Sequence, residues 1–263
     1  ELGFSIADET MQLMKQMVAN GEVDALVSER VWQETLKALS EKNPVRFFEV
    51  LRDCGALKVI FPEVDRLYGV PQPEKHHPEI DTGVHTMMVL TQAARLSDDP
   101  AIRFAALVHD LGKGTTPEKE WPKHIAHEER GVPLVEALCD RLRVPNQFRE
   151  LAIIVTRYHL HFHRAAELRD DTFLETLEKL DAFRRPERFE QFLLACEADS
   201  RGRTGYEDKE FDQPKIYREA FSAASKIIAK PFVEQGLVGT AIADAIKRER
   251  IAVIKEVRQP YRS

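Results

Sequence analysis

The chain has 263 residues, of which 43% are apolar and 31% are charged, and its formal net charge is −6. This composition predicts a folded protein with a sizeable core and no general affinity for nucleic acid, so any RNA contact must come from local basic clusters. No stretch approaches the roughly 20 apolar residues of a membrane span, and the first residues do not resemble a signal peptide. We therefore predict no membrane association.

The three cysteines, Cys54, Cys139 and Cys196, are far apart in the chain and form no CxxC pair. This usage favours a reducing, cytoplasmic location and argues against a cysteine metal site. The chain also opens without a methionine, directly on an amphipathic pattern, which favours a processed or excised piece of a longer protein.

Apolar residues recur at helical spacing from the start of the chain. Asn20 and Gly21 supply a helix stop, and Ser28 can cap a second helix. Asn43 and Pro44 place a cap and a first-turn proline ahead of a third helix, FFEVLRDC. These signals predict a helical N-terminal part.

The proline-rich stretch VPQPEKHHP at 70–78 predicts a loop. Period-two alternation is nearly absent beyond it, and helical periodicity dominates. Eight further helices are predicted, at 82–97, 100–110, 126–141, 146–162, 171–182, 186–200, 214–229 and 239–257. The predicted fold class is therefore all-α.

The segment AIRFAALVHDLGKG contains the strongest chemical signal. Its apolar run from Ile102 to Val108 predicts a buried helix that delivers His109 and Asp110, and Gly112 then lets the chain turn sharply. Burying imidazole and carboxylate together is costly unless they are paired or bind a metal. Such mixed ligands suit Mn, Fe, Ni, Zn or Mg. On this segment alone, a solvated His-Asp pair at a helix end remains the alternative.

Two other helices carry matching residues. His85 lies in DTGVHTMMVLTQAARL, and Asp199 ends the apolar helix FEQFLLACEADSRGR. Three separate helices can thus bring His85, His109, Asp110 and Asp199 to one point. The order of these motifs resembles the HD-domain superfamily of metal-dependent phosphohydrolases. The resemblance implies a helical bundle in which the four residues are the metal ligands, with His109 and Asp110 also catalytic.

Further polar residues lie where an HD protein has supporting groups. His127 and His159 occupy places where some members supply extra ligands or phosphate contacts, so each either touches the metal or faces the substrate. Lys113 is a third catalytic candidate, because it and Arg201 can stabilise charge on phosphorus, although Lys113 is alternatively an exposed loop lysine. Four other histidines lie in polar surroundings and are expected to be solvated: His76, His77, His161 and His163.

A closer resemblance rests on VWQETLKAL, FFEVLRDCGALKVIFPEVDRLYGVPQP, HPEIDTGVHTMMVL and ADSRGRTG. These runs resemble the C-terminal body of bacterial CCA-adding tRNA nucleotidyltransferases, and VEQGLVGTAIADAIKRERIAVI resembles their tail. The resemblance implies three segments: the end of the neck and start of the helical body at 1–60, an HD domain at 61–205, and a helical tail at 206–263. The glycine-rich and paired-aspartate motifs of the catalytic head are absent, so we do not expect nucleotide addition by this chain alone.

The family resemblance also implies cofactors and partners. Nickel or magnesium is expected, with manganese, cobalt or iron as alternatives. The expected substrates are 2′,3′-cyclic nucleotides, 2′-nucleotides and phosphomonoesters, and the expected partner is the tRNA 3′ end. Three basic groups are candidates for tRNA phosphate contact, although charged helix faces are often simply solvated. They are Arg184, Arg185 and Arg188; Arg201 and Arg203; and Lys247, Arg248 and Arg250.

The leading functional prediction is a metal-dependent phosphohydrolase module of an enzyme for tRNA 3′-end maturation and repair. Two alternatives stay open. One is a tRNA-binding scaffold whose metal site is structural or vestigial. The other is a free-standing HD nucleotidase.

Overall fold

A computed structural model describes residues 6–262, so the residues 1–5 with which the predicted neck segment begins lie outside the described part. Within it there is no β-strand, and Pro71 and Asp81 form one isolated bridge. The all-α prediction is confirmed. The described residues form fourteen α-helices: α1 (Asp8–Ala19), α2 (Ser28–Ser40), α3 (Val45–Asp53), α4 (Leu57–Ile60), α5 (Pro62–Asp65), α6 (Thr82–Leu96), α7 (Pro100–Val108), α8 (His127–Leu142), α9 (Asn146–His163), α10 (Asp170–Lys179), α11 (Pro186–Arg201), α12 (Gln213–Ser225), α13 (Lys230–Glu234) and α14 (Thr240–Arg258).

Four short 3-10 helices lie between or after them, at Glu22–Ala25, Leu111–Thr115, Glu118–Glu120 and Gln259–Tyr261. None of the helices between residues 6 and 262 has the length and apolar character needed to cross a bilayer.

Several predicted helix ends are confirmed and others shift. Gly21 follows α1 with a φ of 74°, a left-handed conformation that favours glycine. Ser28 is the first residue of α2 and not its cap, because Val27 already has the extended backbone of a cap. The single helix predicted at 214–229 is wrong beyond Ser225, where α12 ends; the chain then begins α13 with Pro231 in its first turn.

One compact unit comprises the residues up to 157 together with 194–209. Its aromatic core joins α2, α7 and α9, where Trp32 packs edge-on against Phe104 and Phe148 with ring centroids 5.3 and 5.0 Å away. Arg103 is buried in the same region, and its guanidinium donates to the carbonyls of Leu39 and Glu41 at 2.7 and 2.8 Å. The residue therefore satisfies carbonyls at the C-terminus of α2 and ties that helix to α7.

Small side chains bring α6, α7 and α11 close together. Val89, Ala93, Ala106 and Ala198 form one buried cluster between these three helices. Gly202 follows α11, and a Cβ at this position would lie 2.5 Å from a side-chain carbon of Val89. Because the helices approach this closely, polar residues at their adjoining ends are forced into the same buried space.

The second compact unit comprises residues 158–193 and those from 210 onward. Tyr217 on α12 is fully buried, and its ring stacks on Phe173 with centroids 4.4 Å apart. Arg258, at the end of α14, is also buried; it donates to the Leu168 carbonyl at 2.5 Å and pairs with Asp170 at 2.6 Å. The division into segments at 60 and 205 that follows from the family resemblance stays a prediction.

Candidate metal centre

The helix α7 ends inside the core of the first unit. It begins after Asp99, whose carboxylate accepts from the Ala101 amide at 2.8 Å, and every residue from Ala101 to Val108 is buried. His109 and Asp110 follow directly, and each is only 1% exposed. The apolar run thus places an imidazole and a carboxylate where water cannot solvate them, which excludes the solvated pair considered from the sequence.

The other two predicted ligands reach the same space. Asp199, in the last turn of α11, has its Oδ1 atom 3.0 Å from Nε2 of His85 and 3.6 Å from Nε2 of His109. The Oδ2 atom of Asp110 lies 3.2 Å from Nε2 of His109 and 3.9 Å from Nε2 of His85. All four side chains are therefore brought together, and their role as ligands stays a prediction.

Three imidazoles around this point are oriented in the same way. The Nδ1 atoms of His85, His109 and His127 each lie within hydrogen-bond distance of a backbone carbonyl. Because a carbonyl only accepts, each Nδ1 carries a hydrogen and Nε2 is the atom available to a metal. The three carbonyls belong to Gly202, Ala106 and His124, at 2.9, 2.7 and 2.7 Å.

The electrostatics of the site favour a cation between these groups. Burial acts to lower the pKa of His109, but the carboxylates of Asp110 and Asp199 outweigh it and raise this pKa to about 10. Burial acts to raise the pKa of Asp110, but His109 and Lys113 hold it well below its usual range. The Asp110 carboxylate therefore stays ionised and requires a positive partner at the imidazole nitrogen, which is either a proton or a metal ion.

Lys113 is part of this site. It is 7% exposed, and its Nζ atom lies 2.6 Å from Oδ2 of Asp110 and 2.5 Å from Oε1 of Gln72. The alternative that it is an exposed loop lysine is wrong, because the 3-10 turn after Asp110 folds its side chain inward.

His127 approaches Asp110 from the opposite side, with Nε2 3.2 Å from Oδ1 of the carboxylate. This approach depends on Gly112, since a Cβ there would overlap the His127 carbonyl oxygen and lie 2.7 Å from the Gly131 amide nitrogen. The glycine therefore lets the turn that carries Asp110 lie directly on the start of α8.

The remaining supporting candidates are His159 and Arg201. His159 is 2% exposed and belongs to the second unit, where its ring lies 6.1 Å from that of His163. Arg201 is paired with Glu197 one helical turn away, at 2.7 Å. Their predicted contacts with phosphate stay predictions.

Glu79, in the loop before α6, was not predicted to contribute to the site. The Oε1 atom of Glu79 lies 3.0 Å from Nδ1 of His85 and 3.0 Å from Nδ1 of His77. Burial acts to raise the pKa of Glu79, but hydrogen bonds from the two histidines hold it below its ordinary value. The signal available in the sequence was an acid in HPEID, six residues before His85.

The expectation that four histidines are solvated holds for His76, which is exposed, and is wrong for His77. The side chain of His77 is 18% exposed, and its ring lies 4.7 Å from that of His85. Burial lowers its pKa to about 4. His161 and His163 are half-buried, and Nδ1 of His161 lies 2.8 Å from the Thr176 hydroxyl.

The three predicted basic groups differ in how available their side chains are for contact with a tRNA phosphate. Arg184, Arg185 and Arg188 all surround the Asp181 carboxylate, at 3.8, 3.6 and 3.7 Å. The guanidinium of Arg250 covers the Phe183 ring at 4.0 Å. Lys247 and Arg248 are exposed. The guanidinium of Arg203 stacks on Tyr206, 4.9 Å from the ring centroid.

The helical fold and its buried His-Asp cluster agree with family comparison. Residues 82–199 match the model of the HD domain. Residues 3–68 match a model described as "Probable RNA and SrmB- binding site of polymerase A".

Whole-chain comparison finds relatives that share one name, multifunctional CCA protein. The chain is 63% identical to that of Thioalkalivibrio sulfidiphilus, 57% to that of Alkalilimnicola ehrlichii and 54% to that of Teredinibacter turnerae. Each alignment covers 99% of this chain but only 64, 63 and 64% of the relative. The chain thus spans just under two thirds of these relatives, and both resemblances predicted from the sequence are confirmed.

The RNA-binding match adds a region that charge patterning missed. The predicted tRNA contacts all lie beyond residue 183, whereas the matched region ends at 68. Its basic residues are dispersed among acidic ones, so no basic cluster marks it. The family-like runs VWQETLKAL and FFEVLRDC lie in this region, but no RNA contact was predicted there.

Proposed function

We propose that the chain is a metal-dependent phosphohydrolase module and that His85, His109, Asp110 and Asp199 hold its divalent ion. The observation that carries the proposal is the convergence of fixed donor atoms. One ligand atom each from His85, His109 and Asp199 lies within 4.8 Å of the others, and all three residues are buried. A set of two imidazole nitrogens and two carboxylates fits nickel, manganese, cobalt or iron well, and fits magnesium with more oxygen ligands.

The residues around the ion have separate tasks. A divalent ion at such a site activates water for attack on phosphorus and polarises the phosphoryl oxygen. Asp110 is suited to orienting groups and not to taking up a proton, because its pKa is held well below the usual range. The Lys113 ammonium lies beside Asp110. Its positive charge can stabilise the negative charge that develops on phosphorus.

The proposed substrates are 2′,3′-cyclic nucleotides, 2′-nucleotides and phosphomonoesters, and the proposed partner is the tRNA 3′ end in the cytoplasm. The name of the relatives supports a role with CCA ends, and the three free cysteines support a reducing compartment. The purified chain should release product from 2′,3′-cyclic AMP and p-nitrophenyl phosphate when Ni, Mg, Mn or Co is added. Failure of every metal to stimulate release, in protein shown by elemental analysis to bind metal, would contradict the proposal.

Glu79 is expected to act by orienting His85. Glu79→Gln should weaken nickel or manganese binding by about tenfold, because outer hydrogen-bond partners of metal-bound histidine contribute in that range and the Gly202 carbonyl still holds Nδ1. The dissociation constant is measured by metal titration with a competing chelator. Glu74→Gln, a matched change at an exposed position of the same loop, should leave it unchanged. If the two variants bind metal with equal affinity, Glu79 does not contribute to metal binding.

A second candidate function is tRNA binding, favoured by the match over residues 3–68. Lys15, Arg30 and Lys58 are exposed cations within that region. Changing all three to Glu should reduce the dependence of log affinity on log salt by about one unit for each phosphate that the chain no longer neutralises. The measurement is tRNA binding by anisotropy at several salt concentrations. If Lys247→Glu with Arg248→Glu weakens binding instead, the contact lies in the tail.

A further inference from the structure

Gln72 lies in the loop before α6 and is held firmly there. Its backbone amide donates to the Ile80 carbonyl at 2.7 Å, and the carbonyl of the preceding Pro71 lies 2.9 Å from Nε2 of His124. The side chain is 2% exposed. Because hydrogen bonds hold the loop and the side chain is buried, the Gln72 amide group has one fixed position. Its oxygen and nitrogen atoms therefore face defined neighbours.

The neighbouring lysine determines how the Gln72 amide is oriented. The Nζ atom of Lys113 lies 2.5 Å from the amide oxygen Oε1. A lysine ammonium can only donate, so the oxygen and not the nitrogen must face it. The amide nitrogen Nε2 therefore faces another direction. It is fully buried, and no acceptor for it exists among residues 6–262.

A buried donor without an acceptor is destabilising, and native proteins rarely keep one without a reason. This donor adjoins Lys113, whose ammonium contacts Oδ2 of Asp110 at 2.6 Å. The same oxygen lies 3.2 Å from Nε2 of His109 and 3.9 Å from Nε2 of His85. The Gln72 amide group and the Lys113 ammonium group therefore lie next to each other, and the ammonium group borders the proposed metal ligands.

We propose that the Gln72 amide and the Lys113 ammonium form an oxyanion subsite that binds a phosphoryl oxygen of the substrate. The subsite rests on the proposed phosphohydrolase function and adds a residue to it. A phosphate or phosphoester oxygen supplies the acceptor that Nε2 lacks, while the ammonium group neutralises its charge. Lys113 also explains why the amide presents its nitrogen and not its oxygen to the ligand.

Inorganic phosphate is the probe, titrated by calorimetry into the metal-loaded chain. Gln72→Glu keeps an oxygen for Lys113 but replaces the donor with a carboxylate oxygen, so it should weaken phosphate binding by about tenfold or more. The metal affinity, measured separately, should stay within about threefold of the wild type, because Gln72 is not a proposed ligand. Gln33→Glu, which makes the same charge change on the exposed face of α2, should leave phosphate binding intact.

Gln72→Met removes the donor without adding charge, and it replaces the glutamate variant if circular dichroism shows that the latter has lost helix. It should also weaken phosphate binding. Wild-type phosphate affinity in a folded variant that still binds metal would overturn the subsite and leave the phosphohydrolase proposal standing. A wild-type chain that binds metal but no phosphate would also overturn the subsite. A wild-type chain that binds no metal would overturn both.

Discussion

His109→Ala is expected to abolish metal-stimulated phosphoester hydrolysis, lowering kcat/KM on the order of a thousandfold or more. The substitution removes the Nε2 atom that lies 3.2 and 3.6 Å from the two carboxylates, and so removes one of the proposed ligands. Asp110→Asn should have a similar effect, because it removes the charge that attracts both the ion and Lys113. The assay is hydrolysis of p-nitrophenyl phosphate, combined with elemental analysis of bound metal.

The matched control for His109 is His76→Ala, which removes an exposed imidazole from the same unit. It should keep wild-type activity and metal content. Far-UV circular dichroism should show that the His109 variant retains its helices, because His109 follows α7 and does not belong to its apolar face. Full activity in a folded His109→Ala protein would place the catalytic metal elsewhere.

Gly112→Ala is expected to destabilise the first unit by about 3 kcal/mol or more and to lower its metal affinity. The added Cβ would overlap the His127 carbonyl oxygen and press on the Gly131 amide, and backbone atoms cannot rotate aside as a side chain can. The turn carrying Asp110 would have to separate from α8, which would move the carboxylate away from His127. Thermal unfolding with and without metal measures both effects.

Gly114→Ala provides the matched control two residues later. Its Cβ would meet side-chain atoms of Arg66 at 3.3 Å and Leu67 at 3.4 Å, and the flexible arginine can move. The change should cost less than about 1 kcal/mol and leave metal binding unaltered. Equal destabilisation by both alanines would show that close packing of Gly112 against α8 is not what holds the turn.

The helices and the central ligand set were accessible to sequence reasoning for local physical reasons. An apolar run at helical spacing predicts a buried helix, and a His-Asp pair directly after it is then a candidate for burial. Thus α7 follows from contiguous residues, whereas the burial of His109 and Asp110 was one of two alternatives that the structure decided. The same logic applies to α6 with His85 and to α11 with Asp199, whose apolar neighbours share their helices.

The supporting groups were not predicted from the sequence, because their neighbours in space are remote in the chain. Gln72 meets Lys113 across 41 positions, and no periodicity in a proline-rich loop marks its burial. His77 was expected to be solvated because polar residues surround it in the chain, and Glu79 was not singled out, yet the loop that carries both folds back over His85.

The sequence by itself therefore determined the fold class, the family resemblance and the four residues proposed to hold a metal ion, since each depends on local pattern or motif. Tertiary structure alone decided which imidazole nitrogen faces the proposed ion, that Lys113 is turned inward, and that Glu79 and Gln72 border the site. The reason is physical: hydrogen-bond direction and the close approach of His109, Asp110 and α8 depend on how separate helices pack, which no single segment encodes.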